Sequence, residues 1–188
     1  VALEAAYGKS RTPAGGQLSM FGNSLPASST KAQPAILPLQ EKAAQDSRFV
    51  LVDTAQKLVD LAQRLEKAAV ISFDTETTST DQMQADLVGI SLAVEPEMGY
   101  YIPLGHTLET GAQLGEKQVI DVLMKSLTDP DIPKVGHNVK YDYVILARYG
   151  LRVSPLSFDT MIAEWLTNPA SRNLGLKNLA WVRLNIQM

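Results

Sequence analysis

The hydrophobic period of the chain changes near Glu116, and that change constrains the fold more than any other feature. Before it, residues 70–73, 87–94 and 100–104 form three short strand-like runs, separated by polar or Gly- and Pro-bearing stretches such as Glu95-Pro96-Glu97-Met98-Gly99. Strands joined this closely are expected to be antiparallel neighbours. After it, Val119, Ile120, Leu123, Met124 and Leu127 recur as one helical stripe, which Asp129-Pro130 ends. A short strand over residues 133–136 follows, then a helix carrying Asp142, Val144, Ile145 and Leu146 that stops at Gly150, a residue suited to a left-handed cap. Asp159 is expected to cap a further helix, with Ile162, Trp165 and Leu166 as its apolar residues, ending before Pro169; a last helix covers residues 175–184. Upstream, Phe49-Val50-Leu51-Val52 reads as a strand, and Asp53 as the cap of a helix in which Leu58, Leu61, Ala62 and Leu65 recur at i, i+3, i+4 and i+7. The order predicts an α/β fold, a mixed sheet with helices packed on its faces.

With 188 residues the chain holds one domain with a real core rather than two. No apolar run approaches the ~18 residues needed to cross a bilayer, so no membrane span is expected. Cysteine is absent, which removes disulfides and thiolate metal sites, and no signal segment opens the chain; a cytoplasmic location is the default expectation. Residues 1–40 contain four prolines, four glycines and five serines without periodicity. Residues 1–46 are accordingly expected to be a flexible interdomain linker, and residues 47–188 the folded domain. Within the linker, Gln17-Leu18-Ser19-Met20-Phe21-Gly22 is an apolar island that reads either as a docking segment or as part of an unstructured tether. The chain opens on Val1 and closes on Met188 without a cap or turn signal, and is expected to be part of something longer.

The chemistry concentrates on carboxylates. Asp74 and Glu76 follow the apolar run Ala69-Val70-Ile71-Ser72-Phe73, and side chains two apart on a strand share a face. The pair can therefore present two carboxylates to one spot at the strand's carboxyl end. Asp142, in Asn138-Val139-Lys140-Tyr141-Asp142, adds a third near another element boundary. Magnesium prefers oxygen ligands and keeps several waters, and two such ions about 3.5–4 Å apart serve phosphodiester hydrolysis. A net charge of −3 argues against an extended basic groove for duplex DNA, whereas a strand end bound through metal ions calls for local acidity. Taken alone, Asp-x-Glu after a strand is more often a solvated turn than a site.

The wider pattern favours the first reading. Phe73-Asp74-Thr75-Glu76-Thr77, then Leu87-Val88-Gly89-Ile90-Ser91, then Tyr101-Ile102-Pro103-Leu104-Gly105-His106 resembles, in order, the start of the 3′-to-5′ proofreading exonuclease domain of bacterial DNA polymerase I. Val135-Gly136-His137-Asn138-Val139-Lys140-Tyr141-Asp142 is similar to that family's second exonuclease motif, and Phe158-Asp159-Thr160-Met161 and Asn178-Leu179-Ala180 continue the likeness. The resemblance implies a ribonuclease H-like fold and a site for two magnesium or manganese ions. Asp74 would bridge both ions, Glu76 would hold the one carrying the attacking water, and Asp142 would support the second. Thr75, Asn138, Tyr141 and Arg172 would form the substrate-binding set. The implied partners are a single-stranded DNA 3′ end and, on the same parent chain, polymerase and 5′-nuclease domains.

The family's third motif, Tyr-x-x-x-Asp, has no counterpart after Asp142, so the chain is expected to stop before it. At Thr80 the family often carries a larger apolar residue, which puts the grip on a strand end in question. A ribonuclease D-like exoribonuclease and an inactive exonuclease-fold module are the alternatives. Residue by residue, Tyr141 can instead pack, Asn138 can cap the following helix, and His137 and His106 can be hydrogen-bonded structural residues. Trp165 and Trp181 sit at helical spacings and are expected in the core, as are Ile71 and Val88 on their strands.

Overall fold

The computed structural model describes residues 48–107, 111 and 113–188; the expected linker and its apolar island lie outside them. The sequence alternation of one strand organises everything else. β2 (Ile71–Thr77) buries Ile71, Phe73 and Thr75 and exposes Asp74 and Glu76. On one side it pairs antiparallel with β3 (Leu87–Glu95), which returns through Pro96 and Glu97 into antiparallel β4 (Met98–Pro103). On the other side it pairs parallel with β5 (Lys134–Gly136), which in turn pairs parallel with β6 (Leu156–Asp159). β1 (Arg48–Leu51) lies parallel to β4, giving the order β1-β4-β3-β2-β5-β6. The expected antiparallel meander is therefore present within a mixed six-stranded sheet.

Cross-strand rows put the core on one face. Phe73, Leu92 and Tyr100 form one row, and Thr75, Ile90 and Ile102 the next, all of them buried. α1 (Ala55–Leu65) buries Leu58, Leu61 and Leu65, α2 (Glu116–Leu127) buries Val119, Ile120, Leu123 and Leu127, and the two helices pack together. Fully burying each such aliphatic side chain is worth about 2 kcal/mol, which is why these stripes dictate where the helices sit. α3 (Val139–Arg148) ends ahead of Gly150, which takes φ 88° as expected, while the Leu151 amide returns to the Leu146 carbonyl at 2.9 Å. α4 (Thr160–Thr167) and α5 (Leu176–Leu184) follow, joined by a two-pronged ion pair from Arg183 to Glu164 at 2.9 and 3.0 Å. No helix among the described residues is long and apolar enough to cross a membrane.

Several expectations need correction. β2 does not stop at Phe73: the β-favouring Thr75 and Thr77 continue it, so Asp74 and Glu76 stand within the strand, opposite Ser91 and Gly89. Thr54, not Asp53, caps α1 by accepting from the Lys57 amide; Asp53 instead pairs with the Lys57 ammonium at 2.7 Å. Met124 is partly exposed at the margin of its stripe, and Val88 is only half-buried, falling at the register shift where β2 passes from pairing with Gly89 to pairing with Leu87. Trp165 and Trp181 are 54% and 56% exposed rather than core. Helical periodicity buries a face only where another element covers it, and among the described residues none covers these two. Conversely, Lys134 is completely buried, its ammonium donating to the Asp129 and Ser154 carbonyls at 2.6 and 2.7 Å.

Candidate active site

β2 outruns its parallel neighbour. Its last partnered residue toward β5 is Ser72, opposite Val135, so the stretch from Asp74 to Thr77 runs on past its pairing with β5. Crevices at the carboxyl ends of parallel strands, where the neighbouring connections diverge, are where open α/β sheets place ligands. The first turns of α3, which carries Asp142, pack against this stretch of β2.

Asp142 is 2% exposed, and one of its oxygens, Oδ1, accepts from both the Thr75 amide at 2.9 Å and the Thr75 hydroxyl at 2.6 Å. The amide is free for this because β5 has ended and no strand claims it. Burial pushes the Asp142 carboxyl up to about 6, with the Asp74 charge adding to the rise and the Thr75 hydrogen bonds opposing it. Asp74 is also raised, first by burial and then by Glu76, while His137 pulls it back. Asp74 thus stands between the other two: the Glu76 charge raises it, and its own charge raises Asp142. Negative charges held in mutual reach, with one of them driven toward protonation, form a donor set that a divalent cation would relieve. Among the described residues, no three His, Asp or Glu side chains are gathered closely enough to hold a metal ion by themselves. Asp74 and Glu76, exposed on one face of β2, are the pair that could act as direct ligands, with the buried Asp142 behind them.

The remaining expected residues fall in different places. Thr75 is buried, with its amide and hydroxyl both committed to Asp142 rather than to the open face. The Tyr141 hydroxyl is held in the connection between β2 and β3, donating to the Ser79 carbonyl at 2.5 Å and sharing a 2.5 Å hydrogen bond with Thr77. Asn138 stands at the N-cap of α3 with φ 56°, yet its side chain makes no capping hydrogen bond. Arg172 is exposed in the connection from α4 to α5, and no hydrogen bond of the described residues ties it to the carboxylates. His137 bonds Thr160 Oγ1 through Nδ1 at 2.8 Å, while its buried Nε2 has no hydrogen-bond partner among the described residues.

The residue that positions α3 is Asp159, expected only as a cap for α4. It performs that role, accepting from the Met161 and Ile162 amides at 2.8 and 3.3 Å. It also accepts from the Asn138 and Val139 amides at 3.0 Å each, so one carboxylate caps two helices. At its other end α3 is tied to the connection between β2 and β3: Arg148 donates to the Gln82 and Ala85 carbonyls at 3.0 and 2.6 Å, and the Leu87 amide donates to the Tyr149 hydroxyl at 2.9 Å. The helix carrying Asp142 is thus held at its start by Asp159 of β6 and at its end by the connection that follows the strand carrying Asp74.

Comparison with known proteins agrees with this geometry. The family described as 3′-5′ exonuclease matches residues 49–188. The chain is 40% identical over 176 residues to DNA polymerase I of Chloroflexus aurantiacus, covering 93% of this chain and 17% of that protein. It is 37% identical over 128 residues to DNA polymerase I of Borreliella burgdorferi, covering 68% and 14%. The chain thus spans less than a fifth of the length of these curated relatives. Solved structures share the fold: Brucella melitensis NrnC bound to pGG has 25% identity and a TM-score of 0.56 over 75% of this chain and 62% of that one. Escherichia coli RNase D has 21% identity and a TM-score of 0.57, covering 75% and 34%. The architecture is that of the ribonuclease H-like exonucleases.

Proposed function

This chain belongs to the 3′-5′ exonuclease family, and from that premise we propose that it serves as the proofreading domain of a DNA polymerase I, hydrolysing phosphodiester bonds at DNA 3′ ends. The observation that carries the reading is the pairing of two exposed carboxylates on β2 with a third, Asp142, pinned beside them by Thr75. Asp74 and Glu76 would hold a divalent ion, magnesium or manganese, and the place of Asp74 between Glu76, whose charge acts on it, and Asp142, on which its own charge acts, suits it to sharing between two ions. Such an ion, when bound, lowers the pKa of an attacking water and neutralises charge developing on the phosphoryl oxygens. The chain's own contribution is to keep the carboxylates fixed. Thr75 and the shared cap at Asp159 hold Asp142, so little reorganisation is needed when the substrate arrives.

Asn138, the ring of Tyr141 and Arg172 are proposed to meet the terminal nucleotides of a single-stranded 3′ end. Polymerase and 5′-nuclease domains on the same parent chain, in the cytoplasm, are the proposed context. The likeness to RNase D concerns the fold, whereas the relatives at 40% and 37% identity are DNA polymerases, which favours DNA over RNA.

The test is degradation of a 3′-labelled single-stranded DNA by the full-length protein that carries this chain. Activity is expected with magnesium or manganese, lost on chelation and restored by either metal. Asp74→Ala is expected to abolish it while leaving the protein folded; near-parental cleavage by that variant would sink the site assignment. Preference for RNA would move the reading to a ribonuclease, and a folded protein that cuts neither would be a scaffold.

A further inference from the structure

Next to Glu76, on the same face, lies a polar chain that the reading above does not use. Glu76 is paired across the sheet with Gly89, and Asp74 with Ser91, which is itself paired with Tyr101. Directly opposed residues of neighbouring strands share a face, so Asp74, Ser91 and Tyr101 form one row and Glu76 and Gly89 belong to the next. The Tyr101 ring leans from the first row onto the second: a Cβ built on Gly89 would run into its hydroxyl and into the ring carbon that bears it. The hydroxyl therefore rests on the residue opposite Glu76, one strand spacing of about 4.8 Å away. Only glycine leaves room for it there.

The hydroxyl is held in place from behind. His106 Nε2 lies 2.6 Å from Tyr101 Oη, with the two rings edge-on at 72° and their centroids 5.7 Å apart. The His106 main chain is gripped in both directions by one side chain, its amide donating to Gln113 Oε1 and its carbonyl accepting from Gln113 Nε2, each at 2.9 Å. A carboxamide that satisfies both backbone groups of one residue fixes that residue's position, and so the hydrogen-bonded chain runs Gln113, His106, Tyr101 and ends over Gly89, the residue opposite Glu76.

Electrostatics sets the direction of the hydrogen bonds. A hydroxyl has one proton, and a lone pair turned toward the Glu76 carboxylate would be repelled where an O–H would be attracted. The arrangement that satisfies every group has His106 Nε2–H donating to Tyr101 Oη and Tyr101 O–H donating toward Glu76.

Building on the exonuclease reading, we propose that Tyr101, oriented by His106 and Gln113, is a positioning residue that fixes the Glu76 carboxylate for metal and water. Outer partners of ligating carboxylates typically change metal affinity or activity by about ten- to a hundredfold. Tyr101→Phe keeps the ring over Gly89 and removes only the hydroxyl, which separates this role from a packing one. In the full-length protein it is expected to lower kcat on 3′-labelled single-stranded DNA by about tenfold or more, with KM for the DNA unchanged. Calorimetric titration of the DNA-free protein with Mn²⁺ is expected to show affinity weakened by a similar factor, a readout independent of turnover. Gln113→Ala, which loosens the grip on His106 without touching Tyr101, should move both quantities in the same direction by less. Parental kcat together with parental Mn²⁺ affinity in Tyr101→Phe would overturn the proposal. If Asp74→Ala is inactive while Tyr101→Phe is parental in both, this inference alone fails; if Asp74→Ala is also active, the exonuclease site itself fails with it.

Discussion

Asp142 shows how one hydrogen-bonded pair can settle the electrostatics of a site. Its carboxyl is raised to about 6 chiefly because burial penalises the ion, against roughly 3.9 for an exposed aspartate. A group whose folded-state value is raised binds its proton more tightly in the native state. Unfolding therefore releases that proton between about pH 4 and pH 6, and stability falls as pH rises through this window, by at most about 3 kcal/mol. Asp74 is raised too and acts in the same direction. In metal-free protein, Asp142→Asn should flatten the dependence of Tm on pH between 4 and 7 and raise Tm at pH 7. The amide oxygen can still accept from both Thr75 donors, so the cost of substitution is small. Thermal unfolding in a chelator checks this, and a slope as steep as the parent's would contradict it. The types and spacing of Asp74, Glu76 and Asp142 were readable in the sequence. The clasp between Thr75 and Asp142 was not, because it joins residues 67 positions apart and no local pattern encodes such a meeting. The same holds for Tyr141, whose hydroxyl finds Ser79 and Thr77 only once α3 has docked.

At the scale of elements, Asp159 is the joint on which the site hangs. A side-chain cap is worth about 0.5–2 kcal/mol, and this one serves the amino termini of both α3 and α4. Asp159→Ala should therefore destabilise by about 1–3 kcal/mol, near the sum of two caps, and lower kcat as well because the start of α3 carries Asp142. Asp159→Asn keeps the acceptor on one branch only and should fall between. Chemical denaturation alongside single-strand DNA cleavage measures both; loss of stability with kcat intact would detach the cap from the site. Sequence periodicity was sufficient for the meander, for α2 and for the cap of α4. It failed at the length of β2, where Asp74 and Glu76 look like a strand's end but are sustained by pairing to Ser91 and Gly89. It also failed at Asp53, where two adjacent residues, Asp53 and Thr54, are both capable of capping and only the backbone decides between them.

For the molecule as a whole, the core is the buried face of the sheet against its helices. Ile71 is fully buried and Val88 half-buried, so truncation should discriminate between them. Ile71→Ala is expected to cost roughly 2–4 kcal/mol, and Val88→Ala clearly less, with neither changing the metal requirement for cleavage. Equal shifts in unfolding midpoint would place Val88 in the core after all. The mixed α/β class and most elements were legible in the order of periods. What the sequence misled about was coverage: Trp165 and Trp181 repeat at core-like spacing yet stand more than half exposed.

β2 carries two messages interleaved at alternate positions. Ile71, Phe73 and Thr75 spell the core, and Asp74 and Glu76 spell the chemistry. Because the side-chain period of a strand is two, inserting or deleting a single residue ahead of Asp74 would exchange the messages. The carboxylates would be turned into the apolar interior and the aromatic ring of Phe73 out toward solvent. A frame error in this strand thus cannot yield a stable protein with a damaged site, nor an intact site on an unstable protein. Quality control of folding and of catalysis is one and the same test here, and seven residues administer it.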